Sequence, residues 1–207
     1  MRRQTDQADR YVQREFRGFT LVEMVIAVTI VGILAAAVVP TLSMSDPRVL
    51  ESAARVLAGD LRLARSYAIR NNTDYSIQFD VTSNAYDLVH TGSGNPAPIE
   101  NPFAPAGTAS GTYRVELDRL GSTGNLGQSA QLWAAYGKTS QSMTTKVTFG
   151  PLGGTGPAQS DDTIIFLGTG FGRDARFIVI TVSWVTGQVS IGEPQLVTAE
   201  NIRAAFQ

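Results

Sequence analysis

The chain has no cysteine and a single histidine among 207 residues. The first absence excludes a disulfide framework, a thiol nucleophile and any thiolate metal site. The second leaves His90 as the only candidate for every His-based device. A Ser-His-Asp arrangement would have to use it, and a multi-His metal site cannot form. His90 falls at the end of an expected strand beside a loop, so an ordinary surface histidine is the plainer reading. Charge is also scarce, at 17% of residues with a net of −1. Residues 1–18 hold Arg2, Arg3, Arg10, Arg14 and Arg17 against Asp6, Asp9 and Glu15, which leaves 12 basic and 15 acidic residues in the remainder. A mildly acidic body is a poor match for nucleic acid, whose non-specific binding needs phosphates neutralised.

Phosphate and dinucleotide motifs are missing as well. Gly137-Lys138-Thr139 ends like a P-loop, but Leu132 stands where the first glycine is required. Gly168-Thr169-Gly170-Phe171-Gly172 has no helix after it and joins two expected strands, so it reads as a hairpin loop. Asp161-Asp162 could help ligate calcium, but the EF-hand spacing is absent and a solvated loop is the better reading. No catalytic residue, metal site or cofactor is expected.

What the chain does have is one long apolar run. Phe19 to Val39 is 21 residues, interrupted by one carboxylate, Glu23. As a helix it spans about 32 Å, enough for a hydrocarbon core of about 30 Å. Twelve Leu, Ile, Val or Phe residues in it favour insertion by about 4–7 kcal/mol in sum. That exceeds the cost of one central carboxylate, about 2.5–3.5 kcal/mol, and Glu23 sits near the end of the run, where the cost is smaller. The apolar run follows Gly18 and is too long for a secretory signal, which also ends at a small-residue cleavage site. The arginine-rich leader belongs on the cytoplasmic side.

After the run, Pro40 removes a backbone donor and kinks or ends the helix. Asp46 and Pro47 offer an N-cap and a first helical residue. Leu50, Ala53, Ala54, Leu57, Leu61, Ala64 and Ala68 then recur at three- and four-residue spacing. Arg48, Arg55 and Arg62 fall on another face, read as solvated or intersubunit. Asn71-Asn72 stops the helix. Beyond it, strands are expected at 75–81, 85–90, 112–117, 132–136, 146–149, 163–167, 176–184 and 188–191, with long Gly/Pro-rich loops at 91–111 and 150–162. A short amphipathic helix is expected within 198–207. The fold class is α+β: a long N-terminal helix, membrane-spanning then amphipathic, followed by a β-rich globular head of two packed antiparallel sheets.

The Gly18-Phe19-Thr20-Leu21-Val22-Glu23 sequence, the short basic leader, and a proline deep in the apolar run together resemble the type IV pilins and pseudopilins. The tract Leu61-Arg62-Leu63-Ala64-Arg65-Ser66-Tyr67-Ala68-Ile69-Arg70-Asn71-Asn72, with the Thr186-to-Ile191 "T-G-x-V-x-I" pattern, is similar to the GspH/FimT-type minor pilins of that family. The resemblance implies cleavage by a prepilin peptidase between Gly18 and Phe19, and N-methylation of Phe19. It implies that Glu23 pairs with the N-terminal amine of a neighbouring subunit during filament assembly, and that Pro40 is the helix kink. The implied organisation is a cleaved leader at 1–18, a transmembrane and assembly helix at 19–40, an amphipathic helix at 41–72, and a periplasmic head at 73–207. The chain would be a non-enzymatic, single-pass protein of the bacterial inner membrane, N-terminus cytoplasmic. Its partners would be the peptidase, sister pilins or pseudopilins, and secreted cargo. The function implied is a minor pseudopilin of a type II secretion system. The alternative is a minor pilin of a type IV pilus that captures DNA, although residues 187–207 hold only Arg203 as a basic residue against Glu193 and Glu200.

Overall fold

The computed structural model describes residues 21–38, 47–94, 96, 99, 101, 113–120, 129–156, 159–170 and 172–207. The chain divides into two compact units, Met1–Thr41 and Leu42–Gln207. In the first, helix α1 covers Leu21–Val38. Its apolar side chains from Leu21 to Val31 are exposed within this chain. Thr29 satisfies its hydroxyl by donating to the Val25 carbonyl at 2.7 Å.

The second unit is built on α2, Pro47–Asn71. Proline opens it, where a missing N–H costs nothing. Its buried stripe is Leu50, Ala53, Ala54, Leu57, Ala58, Asp60, Leu61, Ala64 and Ala68. The small residues let the sheets approach the helix closely. The three leucines each contribute about 1.5–3 kcal/mol on full burial. The end is a Schellman cap: Asn72 is left-handed, φ +50°, its N–H donates to Ile69 O at 3.4 Å, and Thr73 N–H donates to Ala68 O at 3.2 Å.

Among the described residues ten strands follow: β1 Tyr75–Asp80, β2 Ala85–His90, β3 Tyr113–Glu116, β4 Gln131–Gly137, β5 Met143–Thr144, β6 Lys146–Phe149, β7 Thr163–Thr169, β8 Arg176–Val182, β9 Val189–Ile191 and β10 Gln195–Leu196. They make two antiparallel sheets. One has the order β3-β2-β1-β6. The other runs β10-β8-β7-β4-β5, with β9 also paired to β8. The α2 stripe joins residues of both sheets in one core that includes Tyr75, Ile77, Tyr86, Phe149, Ile165, Leu167, Ile178 and Ile180. A second cluster, Ile164, Phe166 and Phe177, lies on the opposite face of the second sheet, where Phe206 packs on it. That two-sided cover explains why every residue of β7 is buried, as expected of a strand with both faces occupied. Phe206 arrives just after helix α3, Ala199–Ala204, whose N-cap Thr198 accepts from Asn201 N–H.

The expected strands are all present; β2 and β6 match to the residue and the others have shifted ends. β8 stops at Val182, two residues early, because Ser183 N–H donates to Gln188 O and Gly187 N–H to Ser183 O in a closed turn. Gly187 carries φ +64°, and a Cβ there would meet the Gly153 carbonyl oxygen. Leu117 opens a single 3-10 turn, Leu117–Arg119, instead of ending β3. Gly168 and Thr169 belong to β7 and not to the following loop. The register of β4 on β7 skips Trp133, a β-bulge, and the indole lies where a Gly168 Cβ would be. The short strands β5 and β10 were not expected: two residues give no periodicity to read. Of the calls that fall elsewhere, the leader, Pro40, Asp46 and most of the 91–111 loop lie outside the described residues.

α2 is also held by a polar clamp. Asp60, 8% exposed on the buried stripe, accepts from the Tyr86 hydroxyl at 2.6 Å and the Tyr113 hydroxyl at 2.6 Å. Tyr86→Phe removes one donor from a buried carboxylate and is expected to destabilise the body by about 1.5–3 kcal/mol in urea unfolding. A loss within error of zero counts against the clamp.

Candidate functional site

The residues that the sequence marks as functional gather at the N-terminus. Gly18, Phe19 and Pro40 lie outside the described residues. Glu23 is in the first turn of α1, where a carboxylate complements the positive end of the helix dipole. Apart from Glu23 and the self-satisfied Thr29, the described part of α1 is apolar on every side. A helix of that kind needs a cover that is itself apolar, either lipid or other helices. α1 has 18 residues, about 27 Å of rise, and among the described residues no helix is long and apolar enough to cross a membrane. The expected span of 19–40 has both its ends outside them.

In the body, the groups that could suggest chemistry are engaged internally. Thr73 donates to Ser93 O at 2.9 Å, which leaves its oxygen to accept from His90 Nε2 at 3.0 Å, and the imidazole stands edge-on to Tyr75. The Gly137-Lys138-Thr139 turn does hold an anion, but an internal one. Thr139 and Ser140 N–H both donate to Asp161 Oδ2 at 2.8 Å. Partial burial opposes the charged form of Asp161, but these donors outweigh it and hold the carboxyl below its usual value. Asp162 accepts from Trp184 N–H at 3.0 Å. Both aspartates of the calcium reading therefore cap backbone amides, and no group of three potential metal ligands occurs among the described residues.

The arginines expected on an open face divide. Arg55 pairs with Glu51 at 3.5 Å across one turn. Arg62, by contrast, reaches the Val189 carbonyl at 2.9 Å, and Arg65, for which no such face was expected, reaches the Gly153 carbonyl at 3.0 Å. These two tie α2 to β9 and to the 150–156 loop. A third cluster joins the β1–β2 turn to β3. Arg114 donates to Asp87 at 2.8 Å and to Asp80 at 3.2 Å, and Ser83 also donates to Asp80. The Ser83 and Arg114 donors hold Asp80 below its usual value. Asn84 gathers three elements: its amide donates to Asp118 at 2.7 Å and Ala130 O at 2.9 Å, and its oxygen accepts from Leu132 N–H at 2.8 Å.

Sequence reading missed Asp60. Its signal was position: three residues after Leu57, it falls on the apolar stripe, where a carboxylate demands partners. Burial pushes its carboxyl up, and hydrogen bonds from Tyr113 and Tyr86 pull it back only partly. Burial and the facing carboxylate push both phenols up as well. The arrangement fixes a helix to a sheet.

The family model described as "Type II transport protein GspH" matches residues 53–187, from the second turn of α2 through the β8–β9 turn. The chain belongs to the GspH family of minor pilins and pseudopilins. A second model, the prokaryotic N-terminal methylation motif, matches residues 13–39, the stretch that contains Gly18, Phe19 and Glu23. No curated protein matches the chain. Among solved structures, it is similar to the type IV minor pilin FimU of Pseudomonas aeruginosa. The two have 20% identity and a TM-score of 0.39, and the match covers 73% of this chain and 94% of that one. It is also similar to the minor pseudopilin EpsH from the type 2 secretion system of Vibrio cholerae, at 12% identity and a TM-score of 0.39, with 74% and 98% covered. GspH-family proteins are structural subunits that assemble with other pilins, which agrees with a body whose polar groups serve its own fold.

The raised carboxyl of Asp60 has a signed consequence. A group that binds its proton more tightly folded than unfolded makes stability fall as pH rises from the unfolded value through the folded one. Asp80 and Asp161, held low, contribute in the opposite sense: their stabilisation is lost as pH falls below the usual carboxylate range. Comparison with Asp60→Asn isolates the first effect. As pH falls from neutral towards the usual carboxylate range, the wild type should gain stability relative to Asp60→Asn in urea unfolding. A constant difference, or one of opposite slope, contradicts the assignment.

Proposed function

We propose that the chain is a minor pseudopilin of a type II protein secretion system. The observation that carries the reading is the extent of the GspH match, which covers most of α2 and the strands β1 to β8 of both sheets. The methylation motif beside it supports a precursor cut between Gly18 and Phe19 and methylated on Phe19. In this reading α1 is held in the inner membrane by its apolar surface, with the leader in the cytoplasm and the body in the periplasm. Residues 1–18 are leader, 19–40 the anchor with its kink at Pro40, 41–72 the amphipathic helix and 73–207 the β-rich head. Assembly moves α1 from lipid to the helices of sister subunits.

Glu23 directs that transfer. Cleavage creates a cationic amine on Phe19, and a carboxylate in an apolar surround needs a partner of that kind. Pairing with the amine of a neighbouring subunit sets one axial register among many that apolar surfaces alone would allow. The DNA-capture alternative is disfavoured by α3, where Arg203 stands against Glu200, with Glu193 close before it in sequence.

Two measurements test this. The mature protein should begin with N-methylated Phe19 on N-terminal sequencing and mass spectrometry; any other start refutes the cleavage site. Glu23→Ala should be processed and inserted normally but should fail to co-assemble with sister pseudopilins in crosslinking. Wild-type co-assembly of that variant removes the register role.

A further inference from the structure

The body has two chemically different ends, and the strand registers place them apart. At one end α2 finishes beside the start of β1, and β6 closes at Phe149, opposite Tyr75. Here Arg62, Arg65, Ser66, Ile69 and Arg70 line a groove of about 330 Å³ that has no carboxylate among its described lining residues. Arg62 and Arg65 donate to carbonyls, which leaves their charge uncompensated, and Arg70 has no partner among the described residues. Beside the groove are exposed apolar side chains: Leu152 at 98%, Val185 at 64% and Ile69 at 48%. Their backbone is firmly tied. Gly150 N–H donates to Gly154 O, Gly153 N–H to Gly150 O, and Thr155 N–H to Trp184 O, each within 2.9 Å. A leucine displayed on a turn held this way needs no further ordering to bind.

At the other end β1 turns into β2, with Asp80 opposite Ala85 and Ala85 opposite Glu116. Asp80, Asp87, Glu116 and Asp118 stand there against Arg114 and Arg119, an excess of two negative charges. A groove of about 650 Å³ opens there, lined by Val81, Asn84, Asp118 and Trp133 among others. The bulge in β4 is what turns Trp133 out of the β4–β7 ladder.

The two ends are separated by the six residues of β1, about 20 Å. That exceeds the screening length of about 8 Å at physiological salt, so the charges do not neutralise one another within one molecule. They would do so between molecules. We infer that the arginine end of one copy docks on the acidic groove of a second copy. Arg70 faces Asp118, and Leu152 and Ile69 cover Val81 and Trp133. The contact is heterologous: basic on basic is repelled, which disfavours two-fold contacts between like patches, and the arginine end of each copy meeting the acidic groove of the next stacks the copies head to tail into an open row. It stands on the body alone and does not depend on the proposed anchor or secretion system.

The absence of cysteine makes the test direct. Among the described residues both hydrophobic clusters draw only on residues from 49 to 206, and residues 42–207 form a compact unit of their own, so residues 47–207 can be studied alone. Leu152→Cys and Val81→Cys are prepared separately, both at exposed positions outside that core. On mixing under mild oxidation, the mixed disulfide should form at least about tenfold faster than either homodimer. The advantage should vanish at about 1 M salt, where the screening length is about 3 Å. Arg70→Glu in the Leu152→Cys chain should also abolish it, and Asp118→Arg in the Val81→Cys chain should then restore it. Circular dichroism confirms that each variant is folded. Equal rates for the three dimers, or a mixed rate that ignores salt and charge reversal, overturn the inference.

Discussion

Burial of one face of α2 is the constraint on which the body depends. That face meets both sheets, so neither sheet has a complete core without it. The stripe is apolar except at Asp60, and Asp60 turns a non-directional contact into an oriented one. Apolar burial alone tolerates sliding and rotation of a helix along a sheet. A buried carboxylate with two phenol donors does not, because displacement leaves a charge unsatisfied. Tyr86 and Tyr113 lie on neighbouring strands, with Tyr86 opposite Val115 and Tyr113 opposite Leu88. The clamp thus fixes the helix across β2 and β3 while Arg62 and Arg65 fix it to β9 and the 150–156 loop. The second sheet needs its other cover, Phe206 just after α3, because β7 is apolar on both faces.

Much of this was legible in the sequence, for reasons that differ by element. α2 could be read because its apolar spacing is regular, Pro47 opens it and Asn72 closes it in a left-handed conformation. β2 and β6 could be placed to the residue because turn residues bound them. β7 and β8 could be recognised from their β-branched runs, but not their ends: Gly168 looked like a loop residue and is in fact a strand residue made small to accommodate Trp133. That contact joins residues 35 positions apart and leaves no local signature. Asp60 was hidden for a related reason. A single acid in a helix is usually on the solvent side, and only its phase against Leu57 and Leu61 marks it as internal. The family, in contrast, was legible from residues 18–23 and 61–72 alone, and the GspH match agrees.

The polar chemistry of the body is directed inward. The lone histidine, the glycine-lysine-threonine turn and the paired aspartates each look like part of a site and each satisfies a neighbouring group of the same fold. A structural subunit has that character: specificity resides in which surfaces are left unsatisfied. In this body the arginine groove with its displayed Leu152, and the acidic groove around Asp118, are such surfaces. In the N-terminal unit, α1 leaves its apolar side chains from Leu21 to Val31 exposed, and in the proposed assembly the one carboxylate in its first turn, Glu23, chooses the register.

The central claim is that α2 is an integral part of the body and not a stalk attached to it. Hydrogen exchange on residues 47–207 tests this most directly. The account predicts that the amides of α2 between Ala53 and Ala68 open with the same free energy as those of β1 and β7, in one cooperative unit. Exchange of α2 at the rate of an isolated helix, while the strands stay protected, would contradict it.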